Sequence, residues 1–486
     1  MSALLTLGGL DTNIVATAVP SITNHFHTVA DVGWYSSAFR LCSCAFQFIF
    51  GKLYRLFSIK AIFLLAQAIF LVGSVLCSTA TTSSMFVIGR AVTGTGFAGI
   101  IGGLFTILVY ILPLRRRPFF CGVLGMVESL SILAAPIIGG VLTELRWCFW
   151  INLPIGSVSL LMTIFLFSDP KSSDINKSLK QKLIEIDPVS SLLFIPALTS
   201  LFIALSWAGI KYPWDNGKVI GPLVTFTILL VTFAYNQYRQ GDAATLPPRL
   251  IMNRNVIAAS IFTMCSNSAT NVLEYYLPTY YQVVRNHPPS AAGYMMVPIV
   301  IGSTIGMFLC GSGTSIIGYY TPFMLFSSTL LPIFAGLITT FGVDTSFIRL
   351  ILYPGAYGFS SGVGFNAPIS AVQTALPADD ASLGLSIVLF AQHFGPSVCV
   401  AIAQVVFTNK LSANLARVVP GLDPATIDSN GLSDIVGRAP PGQRGVVLEG
   451  VGRSFGETWY LAVGLACATL IGSLLMEWRS VKAKNA

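Results

Sequence analysis

Long apolar stretches recur along almost the whole chain and limit what it can fold into. Fourteen of them have close to the 20 residues or so that a helix needs to cross the hydrocarbon core of a bilayer. We predict spans at about 2–20, 33–52, 61–79, 84–111, 119–141, 149–167, 189–208, 218–236, 255–281, 291–312, 322–342, 347–372, 384–406 and 459–477. Charged residues make up only 10% of the chain, against about 25% in soluble domains. This shortage excludes an ordinary soluble protein and a disordered one.

Basic residues are concentrated in alternate loops, and this asymmetry predicts the orientation of the chain. If the N-terminus is cytoplasmic, the inner segments carry sixteen of the 28 Lys and Arg residues. They are Lys52, Arg55, Lys60, Arg115, Arg116, Arg117, Lys171, Lys177, Lys180, Lys182, Arg239, Arg249, Arg254, Arg479, Lys482 and Lys484. The positive-inside rule therefore places both termini in the cytoplasm, and we expect a multi-pass protein of the plasma membrane. The net charge of +8 then reflects orientation, and no nucleic-acid partner is expected.

The predicted spans divide into groups of six, two and six. Residues 1–167 form a first six-helix bundle, and residues 168–254 form a polar, Lys-rich cytoplasmic linker followed by two additional membrane helices. Residues 255–486 form a second six-helix bundle with a long outer loop at about 407–458. Two bundles of equal size are typical of transporters that are built from repeats.

Motifs for nucleotide, metal or redox chemistry are missing from the sequence. No Walker A motif occurs, the nine cysteines contain no CxxC pair, and no His, Asp and Glu residues cluster at metal spacing. We therefore expect no metal, no cofactor and no enzyme activity. Residues 94–99 match GxGxxG, but a membrane helix precedes them and no acid follows about 20 residues later. We assign Gly94, Gly99 and Gly103 to close helix packing and conformational change.

Five charged residues fall inside predicted spans, where a charge is costly and needs a partner or a function. They are Asp11, Arg40, Arg90, Glu128 and Glu274. All except Arg40 are candidates for proton coupling, because a carboxyl group that is buried near an arginine can load and release a proton. The structural alternative is a buried ion pair, such as Asp11 or Glu128 with Arg90, that only fixes helix packing. Arg40 either extends its charge toward the membrane surface or lines a central cavity.

A proline and two glycines mark the end of the fifth span. Pro136 removes a helix hydrogen bond, while Gly139 and Gly140 permit close contact and bending. In a carrier such a point can open or seal one side of a cavity. In a static bundle it would only serve packing, and the residues alone do not separate these two interpretations.

The ninth span is polar for a membrane helix, and its polar side chains should face the interior of the bundle. It contains Asn271 and Glu274, and it ends in Tyr275, Tyr276, Tyr280, Tyr281 and Gln282. The tyrosines favour an aromatic belt at the membrane interface. The alternative is that Asn271, Tyr275, Tyr276 and Gln282, together with Arg40, line a substrate cavity. His393 lies inside the thirteenth span, where a structural hydrogen bond is favoured over a role in a proton relay.

Several of these segments resemble signature motifs of the major facilitator superfamily, in particular of the fungal 14-span drug:proton antiporter group. The matching segments are LDTNIVATAVPSI at 10–22, GRAVTGTGFAGIIGG at 89–103, APIIGG at 135–140 and RWCFWINLPIG at 146–156. The chain departs from the family pattern at three positions. Arg55 replaces an Asp of the loop motif, Ala135 replaces the first Gly of the antiporter motif, and Glu128 replaces a residue that is usually uncharged. The Arg55 replacement puts a charge-relay gate at that loop in doubt.

The resemblance implies an all-α polytopic membrane protein with the major-facilitator fold and about 14 spans. It further implies a secondary active transporter, in which Arg90 takes part in proton transfer. The expected activity is proton-coupled efflux of a small hydrophobic drug, toxin or secondary metabolite, by a monomer that alternates its access between the two sides. An importer of a small molecule, such as an iron–siderophore complex, is the alternative within transport. A membrane receptor or scaffold that transports nothing is the alternative of another class.

Overall fold

The computed structural model of the chain describes residues 3–11, 32–141, 149–169, 182, 185–208, 212–418 and 444–482, without the side chains of 32–33, 135–141 and 416–418. Nearly all of this part of the chain is helical. Within it, ten helical segments are long and apolar enough to cross a membrane, and the shorter apolar helix Asn152–Leu166 is an eleventh apolar element. The multi-pass helical architecture is thereby confirmed, while the count of fourteen spans stays a prediction.

Fifteen helices of the described residues carry labels below. In the first half they are α1 (3–11), α2 (Val32–Leu56), α3 (Ile59–Ser78), α4 (Ser83–Ile111), α5 (Arg117–Val141) and α6 (Asn152–Leu166). Two additional helices follow, α7 (Pro188–Trp207) and α8 (Gly217–Gln240). The second half contains α9 (Arg254–Val283), α10 (Val297–Ile317), α11 (Thr321–Ile338), α12 (Phe347–Phe365), α13 (Ala367–Ala375), α14 (Ala378–Val418) and α15 (Arg444–Leu475).

The two halves pack internally through matching sets of helices and meet along two seams. In the first half α4 packs against α2 and α3, and in the second half α12 packs against α10, while α9 packs against α14 and α15. The seams between the halves are α2 against α14 and α5 against α10. One apolar cluster contains residues of both halves and therefore crosses the seams, while a second cluster lies in the second half.

Glycines on α4 allow the close helix packing that the sequence predicts. A Cβ atom at Gly94 would overlap the backbone of Phe39 on α2. One at Gly99 would lie 2.5 Å from the Phe50 ring, and one at Gly103 would lie 2.6 Å from the Phe63 ring. Small residues let helices approach in a bilayer, where water does not drive them together. Their role in conformational change stays a prediction.

Asp187 connects the two additional helices to each other. It caps the first turn of α7 by accepting from the Ser190 backbone N–H at 3.1 Å, and it accepts from Gln240 Nε2 at 2.9 Å and from Thr245 Oγ1 at 3.2 Å. Although burial raises it, the hydrogen bonds from Gln240 and Ser190 hold the pKa of the Asp187 carboxyl below its ordinary value. This network fixes the chain at the point where α7 begins and α8 ends.

The predicted outer loop at about 407–458 is wrong in its bounds. Helix α14 continues to Val418 and α15 begins at Arg444, so only 419–443 of that loop lie outside the described residues. The two extensions are held together by Asn414 Nδ2, which donates to Ser454 Oγ at 3.0 Å, and by the ion pair of Lys410 with Glu457 at 3.3 Å. Polar pairs replace apolar residues here, and a search for apolar stretches therefore ends both helices too early.

The predicted twelfth span, 347–372, is also not one helix. It is broken at Asn366, where α12 ends and the short helix α13 begins. Asn366 is followed by Ala367 and Pro368, and a proline is accommodated best in the first turn of a helix. A discontinuous helix inside a carrier is typical of regions that contact the substrate or change conformation.

We predict that Gly94→Ala lowers the thermal stability of the purified protein, because its new methyl group meets the Phe39 backbone. An overpacked core position costs about 1–3 kcal/mol. The matched control is Gly336→Ala on α11, where a Cβ atom would meet nothing within 4 Å, and where the better helix propensity of Ala stabilises by up to about 1 kcal/mol. Equal melting temperatures for the two variants in detergent would contradict the close contact of α2 with α4.

Candidate functional site

A buried ion pair joins the first helix to the fourth. The Arg90 guanidinium donates to the Asp11 carboxylate, and neither side chain has any exposed surface. Of the two ion pairs that the sequence leaves open for Arg90, the structure therefore forms the one with Asp11. A pair without solvent must satisfy both charges locally, because each isolated charge would cost several kcal/mol, or roughly 20 in the idealised limit.

Three further helices contribute to this ion pair. Arg90 Nε donates to the Tyr35 carbonyl on α2 at 2.9 Å, and the guanidinium lies 4.6 Å from the centre of the Phe39 ring. Asn152 Nδ2 on α6 donates to Asp11 Oδ1 at 3.2 Å and approaches Ser74 Oγ on α3 at 3.3 Å. Arg90 Nη2 and Asn152 Oδ1 are buried without a hydrogen-bond partner. The network thus joins α1, α2, α3, α4 and α6, and two of its polar atoms remain unsatisfied.

Glu128 is separate from that network. It lies on α5 as a half-buried side chain, and no ion pair or hydrogen bond of its carboxylate is found among the described residues. Its backbone carbonyl lies 3.5 Å from where a Cβ atom of Gly9 on α1 would be. Ser129, the next residue, hydrogen-bonds to Ser303 Oγ and Thr304 Oγ1 of the second half at 3.0 and 3.1 Å. Within the described part of the chain, Glu128 is therefore a carboxyl group without a fixed partner, and it lies beside the seam of α5 with α10.

Titratable side chains from both halves meet near the centre of the other seam. Arg40 on α2 interacts electrostatically with Glu274 and Tyr275 on α9, and His393 on α14 interacts with Arg40. His393 also lies edge-on to Phe97 of the first half, at 6.3 Å between ring centres. Its Nε2 atom is buried without a partner, which does not support a structural hydrogen bond from that atom. We call Arg40, Glu274, Tyr275 and His393 the central cluster.

Most of the ninth-span tyrosines do not form an interfacial belt, so that prediction is wrong for them. Tyr276, Tyr280 and Tyr281 are buried in the core of the second half, where Tyr280 donates to the Gly342 carbonyl at 2.8 Å. Tyr275 is 54% exposed and interacts electrostatically with Arg40 of the first half. A belt would require the rings to face lipid headgroups, but helix packing decides which side of α9 is buried.

The other predicted cavity residues are distributed differently. Asn271 is half-buried, and its Nδ2 atom donates to the Asn267 carbonyl one turn earlier at 3.0 Å. Gln282 is half-buried near the end of α9. The side chains of Pro136, Gly139 and Gly140 lie outside the described residues, so their proposed kink stays a prediction.

Charged residues close the end of the molecule at which the basic loops lie, which we call the basic end. Asp380, at the start of α14, accepts both Nη atoms of Arg249 at 2.9 and 3.0 Å and lies 3.7 Å from Arg55 at the end of α2. Arg249 also pairs with Asp242 at 3.1 Å. We call this group of ion pairs, formed by Asp380, Arg249, Arg55 and Asp242, the clamp. The clamp joins both halves and the segment after α8. Arg55 thus lies near an acid of the second half, while the doubt about a charge-relay gate at this loop stays open.

Close backbone contacts along both seams add to this closure, and we call the closed region the seal. Gly122 on α5 faces Gly311 on α10. A Cβ atom added at Gly122 would lie only 3.0 Å from the Gly311 Cα. Arg117 donates to the Gln373 carbonyl at 3.3 Å, and Gln373 Nε2 donates to the Phe105 carbonyl at 3.3 Å. Among the described residues, every hydrogen bond or ion pair between the halves lies between the basic end and Ser129. The structure is thus closed at the basic end.

Sequence reasoning did not find the residues of this seal. Arg249 served only to predict orientation, Arg55 was otherwise noted only as a departure from the loop motif, and Asp380 and Gln373 received no role. The available signal was the acidic pair Asp379 and Asp380 at the start of a span whose flanking loops on the same side are rich in arginine. A carboxylate on a basic membrane face needs a cationic partner, and that requirement could have identified the clamp.

Comparison with known proteins agrees with this architecture. The family model described as Major Facilitator Superfamily matches residues 1–399. The chain is 39% identical to the MFS-type efflux pump MFS1 of Arthroderma benhamiae over 99% of this chain and 90% of that protein. It is 36% identical to the efflux pump aflT of Aspergillus parasiticus over 97% of this chain and 93% of that protein.

A solved structure shows the same fold at low sequence identity. The proton:xylose symporter XylE superimposes with a TM-score of 0.62 at 13% identity, covering 97% of this chain and 94% of that one. From the family match, the relatives and this fold together, the chain belongs to the major facilitator superfamily and is a multi-pass membrane transporter related to fungal efflux pumps.

Proposed function

We propose that the protein exports a small hydrophobic compound in exchange for protons, by alternating access of a cavity between its two halves. The observation that carries this proposal is the central cluster, in which Arg40 of the first half interacts electrostatically with Glu274 and His393 of the second half, and His393 contacts the Phe97 ring. We propose that the cavity, called the cleft below, lies beside this cluster. The relatives named efflux pumps support export as the direction. The basic end is the cytoplasmic side by the positive-inside rule, so the closed seal makes this the outward-facing state.

Proton exchange in this scheme begins at carboxyl groups that the cleft can reach. When Glu274 is charged, it balances Arg40 across the cleft, and when it takes up a proton, Arg40 loses that balance. Each protonation state therefore favours a different spacing of the halves. A substrate and a proton then exclude one another if each stabilises a different state, and the coupling is set by their differential affinity for the two states.

Glu128 and the Asp11–Arg90 pair are the further charged groups of this proposed pathway. Glu128 lies beside the seam of α5 with α10 without a fixed partner, so loss or gain of its proton changes the charge next to a moving contact. Protonation of Asp11 would release Arg90 from the network that joins five helices. We propose that the protein works as a monomer in the plasma membrane, with no catalytic residue and no cofactor.

For the buried ion pair we predict that Arg90→Ala abolishes proton-driven export and lowers the folded yield, because it leaves the Asp11 charge buried and unpaired. Such a loss costs about 3–5 kcal/mol. The double variant Asp11→Asn with Arg90→Met removes both charges, and we expect it to recover the folded yield without recovering export. Export of rhodamine 6G from vesicles with an imposed pH gradient measures the activity. Full export by the double variant would reduce the pair to a structural role.

The carboxyl groups of the cleft should determine how export depends on pH. We expect wild-type export to rise as the outer solution becomes more acidic, because protonation from that side drives the exchange. Glu128→Gln and Glu274→Gln each remove one titrating group and should flatten this profile. Glu457→Gln, which removes partly exposed ion pairs with Lys410 and Arg453, is the matched control. A wild-type pH profile for both cleft variants would assign proton coupling elsewhere.

The clamp at the basic end should control how often the seal opens. Asp380→Asn weakens the pairs with Arg55 and Arg249, and a loss of ~1 kcal/mol would raise the open population about fivefold. Cys121, buried beside Gln373, reports this opening through its rate of labelling by a maleimide added to the cytoplasmic side. The control Asp242→Asn removes an exposed pair of Arg249 alone. Equal labelling rates in wild type and Asp380→Asn would show that the clamp does not hold the seal.

A further inference from the structure

Two buried amide side chains in the sealed region have no hydrogen-bond partner among the residues that the structure describes. Gln47 on α2 has no exposed surface, and neither its Oε1 nor its Nε2 atom is satisfied. Asn366, at the break between α12 and α13, is 1% exposed, and neither its Oδ1 nor its Nδ2 atom is satisfied. An unsatisfied buried polar group costs about 1–3 kcal/mol. Both halves therefore carry a cost in the closed state that apolar residues would avoid.

The Asn366 amide lies directly at the contact between the halves. It touches the position of Gly125 on α5, where its Cγ atom would be 3.4 Å from a new Cβ atom and Met307 Sδ would be 3.1 Å away. Gly125 belongs to the first half, and Asn366 and Met307 belong to the second. Separation of α5 from α10 at the basic end would expose the Asn366 amide to the cytoplasmic side.

Gln47 has the corresponding position on the other seam. Its Nε2 atom is 3.1 Å from the Cβ position of Gly102 on α4. The next residue, Phe48, stacks on Phe390 of α14 at 4.7 Å between ring centres, and Gly51, one turn later, meets Ser386 of α14. Separation of α2 from α14 at the basic end would therefore uncover the Gln47 amide as well.

We infer that Gln47 and Asn366 form a polar subsite for the exported compound that becomes accessible only when the basic end opens. This inference rests on the proposed function, because it requires the cavity to alternate between the two sides. The cost of the unsatisfied amides in the closed state is offset when a ligand binds them in the open state. The subsite thus favours loading from the cytoplasm and release after the seal has closed.

The chemistry of the two amides determines the class of compound. Each amide supplies one carbonyl acceptor and one NH₂ donor and carries no charge, and neither forms a hydrogen bond with a charged side chain among the described residues. The matching ligand is neutral and mostly apolar, and it carries a hydroxyl donor and a carbonyl acceptor that do not hydrogen-bond to each other. The site for this class is distinct from the central cluster, which carries charge.

The test compares two neutral probes that differ in one hydroxyl group. Binding of 2-hydroxyanthraquinone, whose hydroxyl group cannot bond to its own carbonyl, and of anthraquinone to the full-length protein in nanodiscs is measured by equilibrium dialysis. We expect wild type to prefer the hydroxylated probe about tenfold, the effect of one or two hydrogen bonds. Asn366→Leu and Gln47→Leu should each remove most of this preference while changing the affinity for anthraquinone less than about twofold. Asn414→Leu is the control, because it removes a buried amide that already donates to Ser454.

The results separate the subsite from the proposed function. An unchanged preference in Asn366→Leu and Gln47→Leu, or no preference in wild type, would overturn the subsite even if rhodamine 6G is exported. Loss of preference in Asn414→Leu to the same degree would attribute the effect to general destabilisation and would also overturn it. Absence of any proton-driven export by wild type would instead contradict the proposed function, whatever the binding preference.

Discussion

The Asp11–Arg90 ion pair is the interaction on which the first half depends. A bilayer offers no water to either charge, so the pair exists only if five helices supply its remaining contacts. Because α1 enters this network through Asp11, the position of the first helix is coupled to that of α4. The proposed alternation of the cleft and the seal requires that α1, α2 and α4 move as one body.

Polar groups in the rest of the molecule are distributed according to what each seam must do. At the basic end, solvent can reach part of the clamp, and arginine with carboxylate holds the halves together at modest cost. Deeper in the seams, glycines bring the backbones into contact at Gly122 and Gly311. The amides of Gln47 and Asn366 lie in the same region without partners. The tight contacts stabilise the closed seal. The unsatisfied groups raise the free energy of the closed state, so that the seal can open again.

The sequence was sufficient for the family, the helical fold and the main residues in the membrane. A charge inside an apolar stretch is visible without a structure, which is why Asp11 and Arg90 could be singled out and their pairing offered as one alternative. The choice between Asp11 and Glu128 as partner could not be made, because it depends on how α1 and α5 rotate around α4. The prediction that the tyrosines of α9 form a belt was wrong for the same reason, since hydropathy does not show which side of a helix faces its neighbours.

Other features were not predicted because pairs of polar residues stabilise them. The extensions of α14 and α15 are held by Asn414 with Ser454 and by Lys410 with Glu457, and an apolar window treats such residues as loop. The clamp at Asp380 joins residues that are more than 300 positions apart in the case of Arg55. Such contacts between distant parts of the chain come from the packing of the two halves, and no local pattern contains them.

The central claim is that substrate and protons move in opposite directions through one cleft. Purified protein in liposomes that enclose a pH-sensitive dye tests it directly, when rhodamine 6G is added outside at equal pH without any imposed gradient. The account predicts that dye uptake makes the lumen more alkaline as protons leave, and that Glu274→Gln reduces this proton movement together with the uptake. Uptake by wild type without any change in the luminal pH would contradict proton exchange.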